Sequence, residues 1–278
     1  MLDLEAEYNN RRRVPCHPAI LARFMAESAQ TRDELAATLD IAYGPGERQR
    51  YDLFHATANT PRAPLVVFIH GGYWAALCRR DVSFVARAFV SQGLAVAIPS
   101  YSLCPTVTVG DIIVEMRTFL AALYLATGQR AVVVGHSAGG HLAACMLATD
   151  WSTVSGAPAA LVGAAYAISG VFELEPLIPT SINTPLHLDI ATARAASPLL
   201  WPAPQSGTLV AAVGSNESSE FLRQSRAMAD AWGRAGVATE FYAVPGADHF
   251  TVLDPLTDPA SPMSQRIAEL ARSVARTF

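Results

Sequence analysis

The sequence has few charged residues and few cysteines. Charged side chains make up 16% of the 278 residues, and the net charge of −4 offers no basic surface of the kind that attracts nucleic acid. The four cysteines lie far apart, and no two of them form a C-x-x-C pair. Such spacing favours reduced thiols in a cytoplasmic protein over a disulfide framework. We therefore expect neither a nucleic-acid-binding protein nor a disulfide-stabilised secreted one.

The sequence also lacks the apolar segments that direct a protein to a membrane. No apolar run reaches the roughly 18 residues of a membrane span without a charge, a glycine or a proline. Residues 1–13 are charged and have no apolar core, so a secretory signal is not expected. The chain does contain 51% hydrophobic residues, enough for a large buried core. A cytoplasmic protein without a membrane partner is the expectation.

Short apolar segments alternate with helix-like segments over most of the chain. This alternation predicts an α/β fold in which a mostly parallel central sheet is covered by helices on both faces. An antiparallel strand pair at 41–43 and 51–54 is expected to open the sheet. The other predicted strands are 65–69, 94–98, 131–134, 162–168, 208–213 and 240–244, and the helices between and after them are 82–92, 109–127, 141–148, 219–234 and 262–276.

Two regions fall outside this alternation. Residues 1–38 are predicted to form an N-terminal helical segment, with one helix over Leu2–Arg13 and a second over Pro18–Thr38. Residues 171–206 are rich in proline and long for a connection, which is typical of a functional insertion or a small cap. No internal repeat or linker divides the chain, so we expect a single domain over residues 1–278.

Residues 132–145 read VVVGHSAGGHLAAC and contain the pattern G-x-S-x-G. The residues before the pattern are typical of a buried strand, and those after it are typical of a helix. A serine on a sharp turn between a strand and a helix is the nucleophile elbow of α/β-hydrolases. Gly135 and Gly139 would let the strand and the helix approach closely. The pattern indicates Ser137 as a nucleophile; the alternative is an ordinary glycine-rich connection.

A serine hydroxyl needs a base to remove its proton and a carboxylate to orient that base. In α/β-hydrolases the acid and then the histidine follow the serine along the chain. His249 lies in a turn after the last predicted strand, whereas His187 lies in the irregular segment. Glu217 follows the strand at 208–213 and is the predicted acid, with Glu220 as the second candidate.

The oxyanion of an acyl-transfer transition state needs hydrogen-bond donors. One predicted donor is the backbone N–H of Ala138, directly after the nucleophile. The other is the N–H of Gly72 or Tyr73, in the segment HGGYW that follows the strand at 65–69. The side chains of Tyr73 and Trp74 are expected either to stack on a flat substrate or to pack against the neighbouring helix.

Three further histidines are interpreted as structural. His70 precedes the nucleophile and is expected to support the oxyanion loop. His136 and His141 lie five residues apart with no cysteine or carboxylate cluster beside them, so the sequence predicts no metal site.

The chain resembles the kynurenine formamidase (arylformamidase) branch of the α/β-hydrolases, which is related to hormone-sensitive-lipase-like esterases. The resemblance covers most of the chain and is weakest over 172–204. It rests on HGGYW and the following RRDVSFVA, GHSAGGHLAA around Ser137, VGSNESSEFLRQS, PGADHF, and the opening LEAEYNNRRRVPCHP.

This resemblance implies Ser137 as nucleophile, Glu217 as acid and His249 as base. The acid is commonly aspartate in the family, whereas this chain has glutamate. The implied reaction is hydrolysis of N-formyl-L-kynurenine to kynurenine and formate, without a metal or cofactor. The resemblance is also compatible with a homodimer, which the composition does not test.

The sequence thus predicts a serine hydrolase that cleaves an aryl formamide, amide or ester through an acyl-enzyme. N-formyl-L-kynurenine is the first candidate substrate. A carboxylesterase or aryl-amidase of other specificity is the alternative among enzymes. A non-catalytic binding module is the remote alternative, and the presence of all three triad residue types argues against it.

Overall fold

The computed structural model describes residues 2–57 and 62–276. Within these residues the strands are β1 (Ala37–Ala42), β2 (Arg50–Phe54), β3 (Leu65–Ile69), β4 (Ala95–Pro99), β5 (Ala131–His136), β6 (Val162–Ile168), β7 (Thr208–Gly214) and β8 (Ala238–Val244). The helices are α1 (Leu4–Tyr8), α2 (Asn10–Arg13), α3 (His17–Glu34), α4 (Ala86–Val90), α5 (Val109–Thr127), α6 (Ala138–Leu147), α7 (Asn183–Leu186), α8 (Ile190–Ala195), α9 (Ser219–Arg234) and α10 (Pro262–Arg276).

The strands form one sheet in the order β1-β2-β4-β3-β5-β6-β7-β8. Strands β1 and β2 pair antiparallel, and β2 pairs antiparallel with β4. The remaining neighbours pair parallel, from β4 and β3 across to β8. The predicted fold class, a mostly parallel sheet that opens with an antiparallel pair, is confirmed.

Helices cover both faces of this sheet. Successive side chains of a strand point to opposite faces, so one apolar strand supplies both core layers. Leu65, Val67 and Ile69 of β3 belong to the layer that includes α5, α6 and α9. Val66 and Phe68 belong to the opposite layer, which includes α3, α4 and α10. All five residues of β3 are buried, as expected of a central parallel strand.

Helix α5 occupies the range that the sequence predicts, because local signals mark both of its ends. The Thr108 hydroxyl accepts the backbone N–H of Asp111, and the Asp111 carboxylate accepts the N–H of Thr108. This reciprocal pair satisfies two donors that would otherwise lack partners. Gly128 ends the helix with φ of 66°, a left-handed conformation that favours glycine.

The N-terminal region differs from the prediction in its helix bounds. Residues 2–13 form two short helices, because Asn9 ends α1 and its side chain caps α2 by accepting the N–H of Arg12. The predicted end of the next helix at Thr38 is wrong. Helix α3 ends at Glu34, and Thr38 pairs with Leu53 in the sheet. Pairing with β2 outweighs the local helical pattern here.

Two other segments are less regular than expected. The predicted helix at 82–92 contains 3₁₀ turns followed by the short α4, and the predicted insertion at 171–206 lies between β6 and β7 and contains α7, α8 and 3₁₀ turns. None of the helices in the described part of the chain is both long and apolar enough to cross a membrane.

Candidate active site

The carboxyl ends of β3, β5, β7 and β8 bring the predicted site residues to one edge of the sheet. The HGGYW segment (His70–Trp74) follows β3, Ser137 follows β5, Glu217 follows β7 and His249 follows β8. Ligands of open α/β sheets bind at this edge, because the loops that meet there are free to vary.

Ser137 lies on a strained turn between β5 and α6. Its backbone has φ of 57° and ψ of −118°, and its N–H donates to the carbonyl of Ile168 at 2.8 Å. A methyl group at Gly139 would collide with the carbonyl of Ile69, and one at Gly135 would collide with that of Gly139. Strain of this kind persists only where the surrounding packing holds it. This is the geometry of a nucleophile elbow.

Glu217 and His249 form a buried hydrogen-bonded pair. Nδ1 of His249 lies 2.6 Å from Oε2 of Glu217, and it carries the proton because a carboxylate only accepts. The other oxygen, Oε1, accepts the N–H of Gly214 at 2.7 Å and the hydroxyl of Ser169. The carboxylate is therefore fixed from both sides, and Nε2 of His249 is left as an acceptor for a proton.

Glu220, the second candidate for the acid, lies in a different network. It accepts the hydroxyl of Tyr8 at 2.7 Å and forms an ion pair with Arg223. The Arg223 guanidinium lowers the pKa of the Glu220 carboxyl, and the Tyr8 hydrogen bond lowers it further. Glu220 is thus bound to Tyr8 and Arg223, whereas Glu217 is the carboxylate that is hydrogen-bonded to His249.

The oxyanion loop, which we define as His70–Trp74, lies directly against Ser137. A Cβ atom at Gly71 would be only 3.1 Å from Cβ of Ser137. The Tyr101 hydroxyl donates to the carbonyls of His70 and Gly71, at 3.0 and 3.2 Å. Such contacts hold the loop beside the nucleophile.

The predicted oxyanion donors come from this loop and from α6. Gly72 has φ of 99° and Tyr73 has φ of 48°, so the loop adopts left-handed conformations next to the site. Ala138 begins α6, where backbone N–H groups have no partner within the helix. These three N–H groups remain the predicted donors.

Tyr73 and Trp74 occupy different environments. The Tyr73 side chain lines the cavity, and its hydroxyl donates to the carbonyl of Tyr8 at 2.5 Å. Trp74 is 0% exposed and packs edge-on against His141, with ring centroids 4.9 Å apart. The expectation that Trp74 stacks on a substrate is not met, because its indole fills the core beneath the loop. The alternative expectation, packing against the neighbouring helix, describes its position.

A cavity of about 490 Å³ opens above Ser137 and His249. The N-terminal helices cover part of it, because Asn10 and Arg11 of α2 and residues of α3 line it. The segment between β6 and β7 contributes a further wall. Apolar side chains dominate the lining, among them Leu21, Phe24, Met25, Phe68, Ile182 and Phe250.

His136 supports the site in a way that the sequence did not reveal. Its Nε2–H donates to the carbonyl of His249 at 2.8 Å, which fixes the backbone of the catalytic candidate. Burial and the neighbouring His249 lower the pKa of His136, so its ring is neutral. Ser169 was also missed, although a polar residue directly after β6 is a recognisable signal at this edge of the sheet.

His70 and His141 are neutral as well. Burial lowers the pKa of His70 to about 3 and that of His141 to about 4. The described residues contain no group of three or more His, Cys, Asp or Glu side chains arranged to hold a metal ion.

A mostly parallel sheet with a serine elbow after β5 and a histidine after β8 defines an α/β-hydrolase. Within this class, the chain belongs to the kynurenine formamidase family. It is 30% identical to kynurenine formamidase of Danio rerio, over 92% of this chain and 91% of the relative. It is 32% identical to that of Salmo salar, over 84% of this chain and 82% of the relative.

Two further comparisons agree with this assignment. The family model described as BD-FAE matches residues 51–156. A crystal structure described as a candidate thioesterase from Silicibacter sp. TM1040 has a TM-score of 0.87 and 32% sequence identity, over 96% of this chain and 99% of that one. The protein is thus a hydrolase of amide or ester substrates.

Proposed function

We propose that the protein is a serine hydrolase that converts N-formyl-L-kynurenine and water to L-kynurenine and formate. The observation that carries the proposal is the buried Glu217–His249 pair, whose His249 lines the same cavity as the strained Ser137. The names of the family members supply the substrate. The aromatic and aliphatic lining of the cavity suits an aryl ring.

In the proposed mechanism, Oγ of Ser137 attacks the formyl carbon while Nε2 of His249 takes the hydroxyl proton. Glu217 stabilises the imidazolium that forms, as in other hydrolases of this class. The N–H groups of Ala138 and of Gly72 or Tyr73 stabilise the oxyanion, an effect typically worth a few kcal/mol per donor.

Collapse of the tetrahedral intermediate breaks the C–N bond. The imidazolium of His249 gives its proton to the departing aniline nitrogen, and Ser137 is left as a formyl ester. A water molecule then attacks this ester while His249 takes one of its protons. The second collapse releases formate and restores the serine hydroxyl with the proton held by His249.

Steady-state kinetics test the substrate. We expect kcat/KM for N-formyl-L-kynurenine of about 10⁴ M⁻¹s⁻¹ or more, above that for p-nitrophenyl esters and simple aryl amides. Turnover of esters with a negligible rate on the formamide would discard the substrate and favour a carboxylesterase. The mechanism would stand in that case.

A fluorophosphonate probe tests the nucleophile. The wild-type protein is expected to be labelled, and Ser137→Ala is expected to remain unlabelled and inactive while it unfolds at a similar temperature. An unlabelled wild type would instead favour a non-catalytic binding module. Labelling of Ser137→Ala at wild-type level would assign the nucleophile to another residue.

A further inference from the structure

The cavity above Ser137 has a largely apolar wall, so its charged side chains stand out. Apart from the histidines, the charged side chains among the described lining residues are Arg11 on α2 and Asp81 after β3. Asp81 is used locally, because its Oδ2 accepts the backbone N–H of Cys78 at 2.8 Å.

Arg11 is a cation without a protein partner. In the described part of the chain, its guanidinium makes no hydrogen bond and no ion pair. The Glu5 carboxylate forms its ion pair with Arg12 and accepts both the N–H and the hydroxyl of Ser181, at 2.8 and 2.7 Å. The same carboxylate also accepts the side-chain amide of Asn9 at 2.7 Å.

Helix α2, which carries Arg11, is anchored against the site. The Tyr8 carbonyl just before it accepts the Tyr73 hydroxyl at 2.5 Å, and Asn10 donates to that hydroxyl at 3.4 Å. Asn10 is buried and lines the cavity, and its Oδ1 has no hydrogen-bond partner among the described residues. Two polar groups without partners among the described residues therefore line the cavity from α2, the buried Asn10 Oδ1 and the exposed Arg11 guanidinium.

We propose that Arg11 binds a carboxylate of the substrate and so makes the enzyme selective for aryl formamides that carry a carboxylate. The inference rests on the proposed function, because N-formyl-L-kynurenine carries an α-carboxylate at the end of the amino-acid side chain that is attached to the ring beside the formamide. Arg11 is exposed at the cavity, where its planar guanidinium is free to form paired hydrogen bonds with a carboxylate. Arg11 thus determines substrate specificity and takes no part in the chemical steps at Ser137.

The test compares substrates that differ only in the carboxylate. N-formylkynuramine keeps the formamide, the ring and the ammonium group of N-formyl-L-kynurenine but has no carboxylate. Arg11→Gln is expected to lower kcat/KM for N-formyl-L-kynurenine about tenfold or more, mainly through KM, and to change that for N-formylkynuramine by less than about twofold. Arg11→Lys keeps the charge and is expected to recover part of the loss.

Arg13→Gln is the matched control. Arg13 lies two residues after Arg11 and carries the same charge, but its side chain is not part of the cavity lining. It is expected to leave both substrates unaffected. Added salt should raise KM for N-formyl-L-kynurenine more in the wild type than in Arg11→Gln, since the lost attraction is electrostatic.

The possible failures are distinguishable. The wild type could hydrolyse both formamides while Arg11→Gln lowers kcat/KM equally for the two, or for neither. That result would overturn the role of Arg11 and leave the proposed function intact. Failure of the wild type to hydrolyse either formamide, while it hydrolyses p-nitrophenyl acetate, would overturn the proposed substrate and this inference with it.

Discussion

At the scale of single residues, hydrogen bonds orient the Glu217 carboxylate toward the imidazole of His249. One oxygen accepts Nδ1–H of His249, and the other accepts Gly214 and Ser169. Both oxygens accept hydrogen bonds, and these hold the carboxylate against the imidazole. A buried carboxylate with several donors also avoids the cost of an unsatisfied charge. Glutamate at this position therefore has both of its oxygens hydrogen-bonded.

The role of Glu217 is tested by Glu217→Gln. The amide keeps the shape of the side chain but does not stabilise an imidazolium, and its NH₂ group favours the wrong tautomer of His249. We expect kcat to fall roughly 10³-fold or more, with the fold retained. Steady-state kinetics on N-formyl-L-kynurenine or on p-nitrophenyl acetate measure the loss.

Glu220→Gln is the control for this prediction. Glu220 binds Tyr8 and Arg223, so its substitution should lower the unfolding temperature and change kcat by less than about threefold. A large loss of kcat in Glu220→Gln together with a small loss in Glu217→Gln would reverse the assignment of the acid.

At the scale of elements, α1 and α2 connect parts of the site that are distant in sequence. Glu5 binds Ser181 in the segment between β6 and β7. Glu7 accepts the Ser219 hydroxyl and the N–H of Glu220 at the first turn of α9. A carboxylate is favourable at this end of a helix. The N-terminal helices thus join the oxyanion loop, α9 and the segment before β7 into one wall.

Tyr73→Phe tests whether this wall positions the oxyanion loop. The substitution removes the hydrogen bond from Tyr73 to the Tyr8 carbonyl and leaves the ring in place. Because Tyr73 and Trp74 both have positive φ, the loop depends on such contacts to keep its conformation. Loss of a bond worth about 1 kcal/mol is expected to lower kcat roughly fivefold with little change in KM.

Tyr43→Phe provides a matched control away from the site. Like the Tyr73 hydroxyl, the Tyr43 hydroxyl donates to a carbonyl, that of Ser100 at 2.7 Å. Both variants should lose similar unfolding free energy in chemical denaturation, but only Tyr73→Phe should lose kcat. An equal effect on kcat in the two variants would mean that the Tyr73 hydroxyl contributes stability alone.

At the scale of the whole molecule, three buried neutral histidines make stability depend on pH. Burial lowers the pKa of His70, His136 and His141 below 6.5. In the unfolded chain these side chains titrate near 6.5, so below that pH the unfolded state binds protons that the folded state does not. Their contribution to stability is complete above pH 6.5 and is lost as the pH falls toward their folded-state pKa values.

The predicted result is a steep loss of the free energy of unfolding between pH 6.5 and 5. Each histidine contributes a slope of up to about 1.4 kcal/mol per pH unit. The carboxylates with lowered pKa values, such as Glu5 and Asp111, add to the loss only at lower pH, because their ordinary values are 4.5 and 3.8. Urea denaturation at a series of pH values measures the slope.

His141→Gln is expected to reduce that slope by up to about 1.4 kcal/mol per pH unit. A free energy of unfolding that is flat from pH 6.5 to 5 would show that these histidines take up protons in the folded state.

The sequence by itself determined the fold class, the order of most elements and the identity of the residues proposed for catalysis. The short apolar segments, the helix-like segments and the G-x-S-x-G pattern around Ser137 are local, so each is readable along the chain. The strands at 65–69 and 162–168 and the helices at 109–127 and 219–234 have the predicted bounds. Where a non-local partner competes, as β2 does for Thr38, the local reading gave the wrong element.

Only the tertiary structure decided which side chains meet. Tyr8 binds Glu220 across 212 positions of the chain, and Arg11 reaches the cavity because α2 docks beside the oxyanion loop. Trp74, adjacent to Tyr73 in sequence, is buried in the core instead. Such contacts depend on how packed elements exclude water and satisfy one another's polar groups, and no local pattern encodes that choice.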